Sequence, residues 1–358
     1  MVRFALVTSL VLTLGCVAAG PAAADGPGGY APLDQPGPAL DIPTANLQAS
    51  LSCESSVRDA TVEPVLLSPA TGLTAEQNFS WNWEPALTEL GIPWCAYTPP
   101  NDTLNDIQAS GEYIVYAIRT MYAMAGRKIA IMGHSQGGMS MRWALRFWPD
   151  TRSMVDKVIG LSGSNHGTTS PVLDTCFTGC PPANWQQEAG SNFIAALNSG
   201  VETFAGISYT EIYTNTDEVV EPNTGSDPSS GLYTGAGQVT NVAIQQVCPT
   251  DLGEHLIVGT TDPVAYALAL DALTHSGPAD PARIPSSVCA QLYMPGVNPL
   301  DAGIELQVLA GAPGLLSVAV GPAAYTTSGA PEDYSEPPLA CYVRADCPGE
   351  KPVGPLVQ

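Results

Sequence analysis

One stretch, residues 128–139, constrains the fold of this chain more than any other. Residues 128–132 are mostly apolar and indicate a buried strand, and residues 137–148 carry apolar side chains at helical spacing. Between the two lies Gly133-His134-Ser135-Gln136-Gly137, a G-x-S-x-G motif. In a nucleophile elbow the serine occupies a strained turn between strand and helix, where flanking glycines avoid a clash. The stretch therefore predicts Ser135 as a nucleophile.

The chain on both sides of this motif predicts alternating strands and helices. Strands are predicted at 64–69, 92–97, 158–161, 207–213 and 239–245, and helices at 81–90 and 104–124. Strands that alternate with helices are typical of a parallel sheet with helical crossovers. We therefore predict an α/β-hydrolase fold, with a mostly parallel central sheet flanked by helices.

The first 24 residues predict export. A positive charge precedes a largely apolar run at 4–12, and Ala22-Ala23-Ala24 forms an A-x-A cleavage site. This run is too short to span a membrane. Cys16 lies inside the signal, but Thr13 stands where a lipoprotein signal needs an aliphatic residue. We predict a secreted, extracellular protein without a stable membrane anchor.

Composition limits the domain organisation and the partners. Residues 25–50 are rich in Pro, Gly and Ala and predict a loose lead-in, with folded sequence beginning near Leu51. The chain is long and apolar enough for one large α/β domain or two small ones, and we predict a single domain over residues 51–358. With 34 acidic against 12 basic residues, it will not bind nucleic acid or an anionic membrane by charge. We expect a monomer.

The general base is one of four histidines. In an α/β-hydrolase the acid and then the histidine follow the serine along the chain, each on the loop after a later strand. His134 is locked beside the serine and cannot reach its hydroxyl, and His166 precedes the candidate acid. His275 lies at the far end of a predicted helix. His255 is therefore the candidate base, the alternative being that it only caps that helix.

The candidate acid is Asp217, which lies just beyond the predicted strand at 207–213. A triad needs a buried carboxylate that fixes the imidazole tautomer and stabilises the imidazolium. Glu218 and Asp251 are the alternatives. The position at the strand end favours Asp217.

The oxyanion of a tetrahedral intermediate needs N–H donors that are held in place beforehand. One comes from Gln136, the residue after the serine. The second usually comes from the loop after the strand at 64–69, where Thr71 lies. Thr71 also offers its hydroxyl, and the alternative is an ordinary turn threonine.

From about Leu51 to the C-terminus the sequence resembles the Candida antarctica lipase B type of α/β-hydrolase. The motifs that carry the resemblance are Pro64-Val-Leu-Leu-Ser-Pro-Ala-Thr-Gly72, Asn82-Trp83, Pro99-Pro-Asn-Asp-Thr-Leu-Asn105, Glu112-Tyr113, Ser135-Gln-Gly-Gly138, Trp185-Gln-Gln187, Thr216-Asp-Glu-Val-Val220, Gln246-Val-Cys248 and His255. The resemblance implies ester hydrolysis on apolar acyl esters without metal or cofactor. It also implies a triad of Ser135, Asp217 and His255 and an oxyanion hole of Thr71 and Gln136.

The chain departs from this family near the substrate pocket. The family has tryptophan before the serine, where this chain has His134, and an acidic residue where Ser164 falls. Because imidazole is smaller than indole, we predict a roomier alcohol side of the pocket, unless a neighbour such as Leu161 or Phe177 fills the space. Gln187 and Val219 are the other candidate pocket residues.

Two further segments bear on the pocket. Residues 175–180 insert a small cysteine loop into the region that borders the pocket entrance in the family. The mostly apolar stretch at 304–320 is either a core helix or a flap on the pocket, because periodicity does not separate the two.

The cysteines indicate four disulfides. Removal of the signal peptide leaves eight cysteines, an even number in an oxidising compartment. The resemblance and the local spacing suggest the pairs Cys53–Cys95, Cys248–Cys289 and Cys341–Cys347, which leaves Cys176–Cys180.

The sequence thus predicts a secreted serine carboxylic-ester hydrolase, a lipase or esterase that works through an acyl-enzyme on Ser135. Its partner would be an apolar ester, in solution or at a lipid–water interface. The same triad would also serve a polyester or cutin-like polymer, since fold and triad alone do not choose a substrate. A secreted binding protein without turnover is the third hypothesis, although it would leave the complete catalytic set unexplained.

Overall fold

A seven-stranded, mostly parallel sheet forms the centre of the molecule. The computed structural model describes residues 29–170, 179–300, 302–303 and 329–347. The strands are β1 (Leu51–Cys53), β2 (Val65–Ser68), β3 (Trp94–Tyr97), β4 (Ile129–His134), β5 (Val155–Leu161), β6 (Ser208–Tyr213) and β7 (Gln238–Ala243). Their spatial order is β1-β3-β2-β4-β5-β6-β7, and every pair is parallel except the antiparallel edge pair β1–β3. The predicted fold class is therefore confirmed.

Helices cover both faces of this sheet. Those in the described residues are α1 (Thr44–Ser50), α2 (Ala75–Phe79), α3 (Trp83–Glu89), α4 (Ile107–Ala125), α5 (Gln136–Phe147), α6 (Pro182–Gln186), α7 (Asn192–Leu197), α8 (Ile244–Val247), α9 (His255–Thr260) and α10 (Pro263–Thr274). Helix α4 is shorter at its start than predicted because Asp106 caps it, accepting a hydrogen bond from the backbone of Gln108. It ends where Gly126 takes a left-handed backbone conformation, with φ of 65°.

Strand β4 separates two hydrophobic cores. Ile129 and Ile131 belong to the core under α4 and α5, whereas Ala130 and Met132 belong to the core under α3 and α10. Side chains alternate between the two faces of a strand, and a strand covered on both faces is apolar at every position. This explains why the continuous apolar run in the sequence is a central strand, with the serine motif at its end.

Residues 29–50 are packed onto the domain, which corrects the prediction of a loose lead-in before Leu51. Ala31 and Leu47 are buried. Carbonyl groups in this segment accept hydrogen bonds from side chains of the main fold, at 2.7 Å from Arg146 to Ala31 and at 3.0 Å from Trp148 to Pro38. Pro-rich sequence forms little regular structure, but here its backbone acceptors are satisfied by buried donors.

Three of the four predicted disulfides lie wholly within the described residues and are present, Cys53–Cys95, Cys248–Cys289 and Cys341–Cys347. The first joins the edge strands β1 and β3. Four predicted features lie outside the described residues. They are the signal peptide at 1–24, the partner Cys176 of the fourth bridge, Phe177, and the apolar stretch at 304–320.

One stretch of the described chain, His255–Thr274, is long and apolar enough to cross a membrane. It comprises α9 and α10, and 78% of it is buried inside the domain. Val258, Val264 and Leu268 belong to the same hydrophobic core as Ala130 and Met132 of β4. The stretch is therefore accounted for as core helices.

Candidate active site

Ser135 occupies a strained turn between β4 and α5. Its backbone φ of 56° lies in a region that residues other than glycine rarely adopt. A Cβ on Gly133 would overlap the carbonyl group of Gly137, and a Cβ on Gly137 would overlap the carbonyl oxygen of Ser68. The two glycines are therefore required, and the motif has the geometry of a nucleophile elbow.

Asp217 and His255 form a buried hydrogen-bonded pair. The Nδ1 atom of His255 lies 2.9 Å and 3.0 Å from the two carboxylate oxygens of Asp217, and both side chains are fully buried. The backbone N–H groups of Val219 and Val220 donate to Oδ1 of Asp217, and Asn223 donates to Oδ2 over 3.0 Å. Four groups thus hold the carboxylate in place by hydrogen bonds.

Each side chain of this pair stabilises the charged form of the other. Burial would raise the pKa of Asp217, but His255 and the backbone N–H donors outweigh it, so the pKa is lowered. Burial would lower the pKa of His255, but the carboxylate of Asp217, together with Glu218 and Glu254, outweighs it and the pKa is raised. Among the described residues Nε2 of His255 has no hydrogen-bond partner. With Nδ1–H directed at Asp217, this nitrogen presents a free lone pair.

The loop at residues 70–72, here called the Thr71 loop, is held next to the elbow by Thr103. The hydroxyl of Thr103 donates to the carbonyl of Ala70 over 2.7 Å and accepts from the N–H of Gly72 over 3.0 Å. The carbonyl of Thr103 accepts from the side chain of Gln136 over 3.2 Å. Thr103 has a φ of 63°, which is costly for a β-branched residue. Sequence reasoning did not single out Thr103, although it lies in one of the motifs that carry the family resemblance.

The side chain of Gln187 links Ser164 to Thr71 through hydrogen bonds. The side-chain NH₂ of Gln187 donates to the hydroxyl oxygen of Thr71 over 2.9 Å and to the carbonyl of Ala183 over 3.1 Å, and Ser164 donates to Oε1 of Gln187 over 2.9 Å. All three side chains are buried. Val219 is partly exposed beside Asp217, to which its N–H donates.

His134 was predicted to border a roomier pocket, and the structure corrects this. The ring is completely buried, hydrogen-bonded to Asn78 and to the carbonyl of His255. Helix α9 approaches so closely that a Cβ on Gly259 would overlap the ring. The ring of His134 is therefore packed against the backbone of α9 and presents no surface to a substrate.

The remaining histidines have other partners. His166 pairs with Glu202 at 2.6 Å, and His275 lies 3.2 Å from Asp271 at the end of α10. Of the alternative acids, Glu218 is exposed, and Asp251 accepts from the backbone of Gly253. Within the described residues, no group of three or more His, Cys, Asp and Glu side chains is arranged to hold a metal ion.

The sheet topology and the elbow define an α/β-hydrolase. The protein family described as Lipase (class 2) matches residues 113–248. The chain is 32% identical over 324 residues to lipase B of Pseudozyma antarctica, covering 89% of this chain and 90% of that protein. The crystal structure of Aspergillus fumigatus lipase B superposes with a TM-score of 0.76 at 31% identity, over 88% of this chain and 76% of that one. The chain therefore belongs to the lipase B family, which confirms the resemblance, and is a hydrolase of the lipase and esterase class.

Proposed function

We propose that this protein is a secreted serine ester hydrolase that cleaves apolar acyl esters through an acyl-enzyme on Ser135. The observation that carries the proposal is the buried Asp217–His255 pair, which lies against His134, the residue before a serine on a strained elbow. A nucleophile, a base and a carboxylate that orients the base are the parts that nucleophilic ester cleavage requires.

In the proposed reaction, Nε2 of His255 takes the hydroxyl proton of Ser135 as its oxygen attacks the ester carbonyl. The imidazolium that forms is stabilised by the carboxylate of Asp217, which lies 2.9 Å from Nδ1. His255 then returns the proton to the leaving alcohol, and an acyl ester on Ser135 remains. Water attacks that ester with the same base, and the carboxylic acid leaves.

Two groups would stabilise the oxyanion. Gln136 is the first residue of α5, and the N–H groups in the first turn of a helix have no acceptor within the helix. The oxygen of Thr71 already accepts a hydrogen bond from Gln187, so its own hydrogen is free to donate to the oxyanion. These donors are fixed before the substrate arrives, which is what makes such a site effective.

Export is part of the proposal. The N-terminal signal pattern predicts it, and three disulfides support an oxidising compartment. Sequencing the N-terminus of protein recovered from culture medium should find Asp25 first. Retention of the mature chain inside the cell would contradict export.

Kinetics of variants test the chemistry. Ser135→Ala and His255→Ala should each abolish nearly all hydrolysis of p-nitrophenyl esters, and Asp217→Asn somewhat less, because triad members act as a unit. His166→Ala and His275→Ala serve as matched controls and should keep most of the activity. An active His255→Ala protein would refute the assignment. A series of esters of rising chain length, measured beside a polyester film, separates a lipase from a polymer hydrolase.

A further inference from the structure

A chain of hydrogen bonds joins the Thr71 loop to the backbone of His255. The N–H of Ala70 donates to Oδ1 of Asn78 over 2.9 Å. The Nδ2 atom of Asn78 lies 3.2 Å from Nδ1 of His134, and Nε2 of His134 lies 3.3 Å from the carbonyl oxygen of His255. Asn78, His134 and His255 are all completely buried. The residue before the nucleophile is thus the centre of a link between the two sides of the site.

The two ends of this chain determine the direction of every bond in it. The N–H of Ala70 only donates, so Asn78 turns its oxygen to the loop and its NH₂ group to His134. The carbonyl of His255 only accepts, so Nε2 of His134 carries a hydrogen. A neutral imidazole has one N–H, which leaves Nδ1 as the acceptor that the NH₂ of Asn78 requires. Neutral His134 therefore satisfies both neighbours.

A protonated His134 does not fit the same surroundings. Its Nδ1–H would face the NH₂ group of Asn78 at 3.2 Å, donor against donor. Among the described residues, the only acceptor within reach would be Oδ1 of Asn78 at 3.4 Å, which already accepts from the N–H of Ala70. Burial, and next the charge of His255, lower the pKa of His134 to about 3. The neutral form and its hydrogen bonds therefore persist across the pH range in which a histidine base works.

We propose that His134 is a positioning residue for His255, and that Asn78 fixes the tautomer in which it does so. This inference rests on the proposed function, in which His255 is the base. His255 is the first residue of α9, so the direction of its imidazole depends on the backbone position at the start of this helix. Asp217 holds its ring and His134 holds its carbonyl, while Gly259 one turn later rests against the His134 ring.

Loss of the contact between His134 and the His255 carbonyl would let the helix start shift. A displacement of about 1 Å at a reacting group costs up to about a hundredfold in rate. Such a shift changes the chemical step more than substrate binding, because His134 is buried away from any substrate surface. The expected signature is a lower kcat at nearly constant KM.

Three substitutions separate positioning from packing. In His134→Gln the side-chain amide reaches the place of Nε2 and donates to the His255 carbonyl. In His134→Asn the amide reaches only the place of Nδ1, and His134→Leu keeps the volume without any hydrogen bond. We expect kcat on p-nitrophenyl butyrate to fall about 10- to 100-fold in His134→Asn and His134→Leu, with KM within about twofold, and to return to within about threefold of wild type in His134→Gln.

Labelling of the full-length mature protein by a fluorophosphonate keeps the two proposals apart. An unlabelled Ser135 in the wild type would refute the proposed function itself. A labelled wild type, with all three folded variants within twofold of its kcat, would refute the positioning role and leave the proposed function standing. A purely structural role would lower the Tm of His134→Asn and His134→Leu and leave the kcat of the folded protein unchanged. If His134→Leu does not fold, the difference between His134→Gln and His134→Asn decides the question.

Discussion

The hydroxyl of Ser164 donates a hydrogen bond to the side-chain oxygen of Gln187 over 2.9 Å. Together with the Ala183 carbonyl, which accepts from the other end of the same amide, this bond fixes which way the amide faces. The NH₂ group of Gln187 is thereby directed at the oxygen of Thr71. Ser164 therefore orients the amide that contacts the hydroxyl of Thr71.

This arrangement predicts that Gln187→Glu is far more damaging than Gln187→Met. A carboxylate only accepts, so it would take the Thr71 hydroxyl away from the oxyanion and add negative charge beside it. We expect kcat/KM to fall about 10²- to 10³-fold in Gln187→Glu, the cost of one oxyanion donor, and less than about tenfold in Gln187→Met. Steady-state kinetics on one p-nitrophenyl ester measures both. Equal activity of the two variants would show that Thr71 does not depend on Gln187.

The pH profile should report the Asp217–His255 pair. The base must be neutral, so kcat/KM should rise with pH as His255 loses its proton. Asp217 first, and then Glu218 and Glu254, outweigh burial and raise the pKa of His255, so the midpoint should lie above the ordinary value of 6.5. In Asp217→Asn the burial remains while the charge that raises the pKa most is lost, so the midpoint should move to lower pH. His275→Ala is the control and should leave it in place. An upward shift in Asp217→Asn would be incompatible with this pairing.

Stability should depend on pH through Glu211, a residue of β6 that is unrelated to the proposed chemistry. Its side chain is completely buried and accepts from Asn165 over 3.0 Å, and burial raises its pKa from 4.5 to about 8. Between these two values the folded protein holds a proton that the unfolded chain has lost. The free energy of unfolding therefore falls as pH rises through this range, by about 3–5 kcal/mol from this group.

Urea unfolding at pH 5 and at pH 8 measures this dependence. Glu211→Gln carries no titrating group, so its stability should change less between the two pH values than that of the wild type. The comparison uses the difference between pH values within each protein, which removes any constant cost of the substitution. Identical pH dependence in the two proteins would mean that Glu211 is ionised in the folded state.

The elements around β4 and the Asp217–His255 pair were predictable because their signals are local. A buried strand, a glycine-flanked serine and a polar residue just after a strand each show within a few residues of sequence. Asn78 shows no such signal, because its partner His134 is 56 residues away. The packing of residues 29–50 was missed for the same reason, since Arg146 and Trp148 satisfy that segment from far along the chain.

The His134 pocket prediction was wrong for a related reason. A smaller side chain in the sequence indicates a void only if the neighbouring elements stay where they are in the family. Here Gly259 lets the backbone of α9 pack against the imidazole, and the ring is completely buried. The sequence contains that glycine, but its position against His134 is a property of the packed structure.

The role of Ser135 is tested most directly by identifying the residue that a fluorophosphonate modifies. Mass spectrometry of the intact protein and of its peptides should find one adduct per molecule, on the peptide that contains Ser135. The adduct should be absent in Ser135→Ala and should form much more slowly in His255→Ala, because the serine needs its base. An adduct on any other residue, or ester hydrolysis that survives in Ser135→Ala, would contradict the assignment of Ser135 as the nucleophile.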